Sequence, residues 1–178
     1  MIDQIANLKI ALLGGGRRCK AFLQTILSED FKEKGPEILG VADKNDRAVG
    51  LEFAKKKGIF ATDDFKELFS IKDLNLILQL TRDDNLKTMV QDTKPPWILL
   101  VDHHEAQSIV DHYLVKGKKY EILAQLRNTR DDSHTTENLL EEFCGFVLDL
   151  NVEKNSYFQK VRKDLAANEW AMSQIIHG

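Results

Sequence analysis

The chain has 178 residues, 43% of them hydrophobic and 30% charged, a globular balance that excludes wholesale disorder. Its length suits one domain with an appendage, at about 150 residues per domain. Lys and Arg number 25 against 28 Asp and Glu, for a net charge of -3. The two signs are interleaved along the chain, so no nucleic-acid surface or membrane-binding face is expected.

No apolar run approaches the ~20 residues of a membrane span. The opening MIDQIANLKI has no charged-then-apolar leader pattern. Cys19 and Cys144 are solitary and far apart, which suits a reducing cytoplasm and offers no structural zinc site.

Taken in order, LKIALLG (8–14) is a short branched apolar run ending in glycines, the pattern of a buried strand. From Arg17 to Phe31, the spacing of Phe22, Leu23, Ile26 and Leu27 predicts one face of a helix. EILGVAD (37–43) follows the Gly35-Pro36 break and reads as a second strand. Residues 46–57 read as a helix closed by Gly58. GIFAT is a brief third strand, with Thr62-Asp63 capping a helix over DFKELFS. LNLILQL (74–80) is the fourth strand and TRDDNLKTMVQDT the helix after it. Pro95-Pro96 ends that helix, and WILLVD (97–102) is the fifth strand, with Trp97 expected in the core. Such alternation predicts an α/β fold, a doubly wound parallel sheet of Rossmann-like type, over residues 1–114.

Beyond residue 104 only helical spacing remains, over 105–128, 136–151 and 155–176. The polar break 128–137 offers Ser133 or Thr135 as an N-cap. This C-terminal helical extension, 115–178, cannot close a core alone. It is expected to pack on its own domain or to form a homodimer, with Trp170 as a candidate interface anchor.

The sharpest motif is Gly14-Gly15-Gly16-Arg17-Arg18-Cys19, between the first strand and the first helix. In a dinucleotide fold the first glycine permits a tight turn and the second admits a pyrophosphate to bare backbone. The third lets the helix lie close to the strand; here that place is Cys19. The helix N-terminus offers N–H groups to phosphate, and Arg17 and Arg18 are placed to add charge. Asp43 ends the second strand, where a carboxylate accepts ribose hydroxyls and favours NAD over NADP. The adjacent Lys44 leaves that preference open.

Residues 8–114 resemble the N-terminal domain of the glucose–fructose oxidoreductase and inositol dehydrogenase family. The matching pieces are ALLGGGRRCKAFL, ILGVADKNDRAVGLEFAKKKGIFATDDFKELF and LNLILQLTRDDN. The resemblance implies that Gly14, Gly16 and Asp43 bind an NAD-like ligand and that Thr81 lines a ribose. Where that family usually carries Glu-Lys-Pro with a catalytic lysine, this chain has Val101-Asp102-His103-His104-Glu105. A closer similarity is to Rossmann-like domains ahead of PAS and histidine-kinase modules in bacterial sensors, which share the Gly14–Cys19 and Pro36–Asp43 phrases. That similarity implies a cytoplasmic module sensing NAD(P) or another adenine nucleotide, without its own catalytic domain. The alternative is a truncated or divergent NAD(P)-dependent oxidoreductase.

Asp102-His103-His104 also resembles the tripeptide of dimanganese phosphoesterases, but the further aspartates of that chemistry are missing. His103 is left either to touch a ligand at the sheet edge or to cap the next helix. His112 is expected to be exposed.

Overall fold

A computed structural model describes residues 8–29, 31, 35–128, 138–147 and 150. The chain divides into two compact units, Met1–Glu121 and Ile122–Gly178. In the second unit residues 138–147 are helical, with Leu139 buried. The polar break at 129–137, the helix predicted over 155–176 and Trp170 lie outside the described residues.

The first unit is built on strands β1 (Lys9–Leu13), β2 (Glu37–Ala42), β3 (Phe60–Thr62), β4 (Leu76–Gln79) and β5 (Leu99–Val101). Between and after them run helices α1 (Arg17–Ile26), α2 (Val49–Lys56), α3 (Asp84–Thr93) and α4 (His103–Asn128), with a 3-10 helix at Phe65–Ser70. All strand pairs are parallel, in the order β3-β2-β1-β4-β5. The chain winds outward from β1 to β3, then returns to β4 on the other side of β1. That reversal is the switch point at which doubly wound sheets open a crevice at their C-terminal edge. The strand order and parallel crossovers define a Rossmann-like α/β domain.

Alternation along β1 builds two core layers. Ile10 and Leu12 pack with Phe22 and Leu23 of α1, Leu51 and Ala54 of α2, and Ala106, Val110 and Tyr113 of α4. Ala11 and Leu13 face the other way, onto Leu68, Ile77, Val90 and Ile98. With both faces covered, the central strands need no polar side. α4 therefore lies on the α1 side, where Tyr113 meets Phe22 edge-on at 5.8 Å.

Three local departures from the sequence reading have physical causes. Trp97 is 71% exposed, not core, because Ile98 takes the buried place as the Pro95-Pro96-Trp97 turn closes on a bond from Ile98 N–H to Pro95 O. α2 starts at Val49 because Asp43 and Asn45 accept the N–H groups of Asn45 and Arg47, holding the chain in side-chain-closed turns. DFKELFS winds as a 3-10 helix capped by Asp64, which accepts from Lys66 N–H at 2.9 Å. Gly58 does close α2: at φ +72° its N–H reaches Lys55 O while Ile59 N–H reaches Ala54 O, the Schellman pattern.

A Cβ on Gly50 would lie 2.7 Å from Gly15 O, 2.8 Å from Gly16 O and 2.9 Å from Cys19 Cβ. Glycine to alanine in a helix ordinarily stabilises, but here the neighbours are backbone and cannot step aside. Gly50→Ala should lose about 1–3 kcal/mol in denaturant unfolding. An unchanged or raised midpoint would show that the two helices are not held this close.

Candidate functional site

The glycine turn is shaped by what surrounds it. Gly14 sits at φ +113°, a conformation that only glycine takes without strain, and a Cβ there would press on Thr81 N at 3.0 Å. Gly15 is turned into the fold: Asp43 Oδ2 accepts its N–H at 2.5 Å, and its carbonyl accepts the N–H groups of Gly50 and Leu51. Gly16 is exposed and has nothing within 4 Å of where a Cβ would stand. A bare, open backbone position thus faces solvent at the start of α1, above a closely packed base.

Cys19 fills the place of the third glycine, and Gly50 of α2 gives it room. Burial, with the negative charge of Asp43, pushes its thiol pKa up to about 12. It is a packing residue with no thiolate at neutral pH.

The helix starts differ. α3, α4 and the 3-10 helix begin on Asp83, Asp102 and Asp64, whose carboxylates accept first-turn N–H groups. α1 begins on Gly16 with no side-chain cap and no acidic residue, yet carries Arg17 and Arg18 in its first turn. Cations there oppose the helix dipole. Arg17 is exposed, whereas Arg18 Nη2 pairs with the buried Asp111 Oδ1 at 3.1 Å.

Beside the turn, on the face of α3, lies a cavity of about 300 Å³. Its apolar wall is Leu13, Ala42, Phe65, Leu86 and Met89, and its polar rim is Asp43, Lys44, Asp63, Thr81, Asp83 and Asn85. Lys44 Nζ stands 3.7 Å from Asp83 Oδ2 across the rim. Asp43 keeps an accepting lone pair on each oxygen beyond its bonds to Gly15 and Asn45. The buried amide of Gln79 donates from Nε2 to the carbonyls of Thr81 and Asp83, at 3.0 Å each, and so holds the β4–α3 loop in place.

Of the residues singled out in the sequence, Gly14, Asp43, Lys44 and Thr81 line this one cavity, while Gly16 and Arg17 stand outside its lining at the start of α1. Arg18 is directed to α4. His103 is 9% exposed just after β5, its ring centroid 3.8 Å from that of His104 and tilted by 39°, and does not line the cavity. Asp102, beside it, caps α4 and pairs with Lys87 Nζ at 3.1 Å; the Glu105 N–H, then Lys87, hold its carboxyl below the ordinary range. Phe65, Met89, Asp83 and Gln79 were not found from sequence. Gln79, one of two amides in the otherwise apolar run LNLILQL, was the one signal available. Among the described residues no group of three or more His, Cys, Asp or Glu could hold a metal ion, and no helix is long and apolar enough to cross a membrane.

No family model matches the chain, and no curated protein matches it. Among solved structures it is similar to GenD2 from gentamicin A biosynthesis in complex with NAD, at 15% identity and a TM-score of 0.39, over 61% of this chain and 33% of that one. It is similar to a myo-inositol dehydrogenase from Corynebacterium glutamicum, at 21% identity and a TM-score of 0.38, over 63% and 34%. An oxidoreductase from Agrobacterium radiobacter in complex with NAD+, L-tartaric acid and magnesium gives 17% identity and a TM-score of 0.36, over 62% and 33%. The chain thus spans about one third of the length of these solved proteins.

Burial, reinforced by the neighbouring His104, lowers the His103 pKa below its ordinary 6.5. The unfolded chain then binds the proton more readily, so His103 contributes stability above pH 6.5 that is lost as pH falls through its folded value. Unfolding midpoints measured from pH 8 down to pH 5 should fall less steeply in His103→Gln than in the parent. Identical slopes would contradict the buried, neutral imidazole.

Proposed function

We propose that this chain is a regulatory module that binds NAD, or a related adenine nucleotide, in the crevice between β1 and β4. One juxtaposition carries the reading: the open Gly16 backbone at an uncapped helix start, beside a carboxylate that Gly15 and Asn45 hold at the mouth of an apolar cavity. The cavity lies at the small end of ligand sites, sized for a nucleoside rather than a whole dinucleotide. Adenine would take the apolar wall, and the ribose hydroxyls would donate to Asp43. The diphosphate would receive the amides of the turn and the charge of Arg17, which offsets the unfavourable placement of cations at that helix start. Thr81 would close the β4 side.

The rim favours NAD over NADP. Asp43, Asp63 and Asp83 line it against Lys44, and Lys44 already faces Asp83. A 2′-phosphate there would meet carboxylates before it met a free cation.

The sensing part of the reading rests on α4, which packs along α1 and runs on to Asn128. Binding at the start of α1 acts on a helix that leads out of the sheet domain. A cytoplasmic setting, a homodimer formed through 115–178 and downstream PAS or histidine-kinase partners belong to the same proposal. A second reading, a divergent oxidoreductase domain, is favoured by the polar group Lys87, Asp102 and His103 at the end of β5. Reduction of NAD+ by the chain with a polyol or sugar as the hydride donor would select it.

Thermal-shift and calorimetric titration with NAD, NADP and ADP tests the binding. At 100 times its dissociation constant NAD should add about 2.7 kcal/mol of stability, with a smaller response to NADP. Gly16→Leu should abolish that response while changing intrinsic stability by no more than about 0.5 kcal/mol, because the site is open. Equal response in Gly16→Leu, or none in the parent at millimolar ligand, refutes the site.

A further inference from the structure

Arg18 stands in the first turn of α1, yet its guanidinium is directed to α4. Nη2 lies 3.1 Å from Asp111 Oδ1, and the Gln107 amide, turned with its oxygen inward, accepts from Nη1 at 2.9 Å. Asp111 is 5% exposed. The same helix pair is locked further along: Tyr113 meets Phe22, and a Cβ on Gly117 would collide with the Thr25 side chain. α1 and α4 therefore touch closely, and the Arg18–Asp111 ion pair lies at the N-terminal end of α1.

We propose that Arg18 is a ligand-switched latch, paired with Asp111 on α4 in this structure and drawn to the phosphates when a nucleotide diphosphate binds the turn. The inference rests on the nucleotide reading above and adds the regulation of that site. A first-turn arginine can reach either partner, because its long side chain pivots about a backbone position that both sites share. It cannot satisfy both in the bidentate geometry that a guanidinium prefers. A diphosphate carries more charge than one carboxylate and is joined there by the amides of the helix start. Transfer of Arg18 takes its guanidinium away from a buried carboxylate on α4, which loosens the front of that helix. By linkage, whatever stabilises the Asp111 pair weakens phosphate binding by the same factor.

The probes are ADP and adenosine, which share the nucleoside and differ in the diphosphate. In calorimetry on the full chain, Asp111→Asn should tighten ADP while leaving adenosine unchanged, by a factor in the roughly 5–150-fold range of such couplings. Arg18→Gln should weaken ADP and, again, leave adenosine unchanged. Amide hydrogen exchange over 106–117 should quicken when ADP binds the parent and stay unchanged when it binds Arg18→Gln. If Arg18→Gln fails to fold, Asp111→Asn alone still decides the matter. Equal ADP affinity in Asp111→Asn and the parent overturns the latch and leaves the nucleotide site standing. No binding of ADP or adenosine to the parent overturns both.

Discussion

The bond from Gly15 N–H to Asp43 Oδ2 is the constraint on which the site depends. It ties the turn after β1 to the end of β2, and in doing so gives both residues their orientation. With its N–H held there and its carbonyl receiving the α2 start at Gly50 and Leu51, Gly15 cannot face outward. Gly16 is left as the exposed residue at the head of α1. The carboxylate, fixed also by Asn45 N–H, lines the cavity with accepting capacity to spare. An aspartate at a strand end would otherwise sample many rotamers, and ordering it on ligand binding would cost affinity.

That local clamp is affordable because the packing beneath it is close. Cys19 in place of a third glycine would push α1 outward if α2 presented a side chain opposite. Gly50 removes that side chain, so the room that one helix lacks is provided by the other. Behind them the buried strands and α4 form one apolar layer. The opposite layer, under α3 and the 3-10 helix, ends in the cavity and is tethered by Gln79. The two faces thus differ: one carries α1 and the long helix α4, the other a cavity of about 300 Å³.

The strands were legible because each is an unbroken branched run bounded by glycine, proline or aspartate, and the parallel order follows from their alternation with helices. Gly14, Gly16 and Asp43 were legible for a related reason: a strand-to-helix glycine turn and a strand-ending carboxylate are local patterns. What escaped was tertiary. Trp97 reads as a strand residue until the proline turn gives the inward place to Ile98. Nothing local around Arg18 announces that Asp111, 93 residues away, stands beside it. Nothing local in VGLEF announces that Gly50 must lie against the glycine turn. The β2–α2 loop also needed its side-chain-closed turns to be seen before the late start of α2 made sense.

The central claim is that the exposed backbone at the head of α1 receives the phosphates of an adenine nucleotide whose ribose Asp43 holds. The most direct measurement is backbone amide NMR during titration with NAD. The account predicts saturable shifts centred on Gly16, Arg17, Lys44 and Thr81, with the β3 and β5 amides little changed. Shifts confined to the β5 end around His103 and His104, or no saturable shift at the turn, would contradict it.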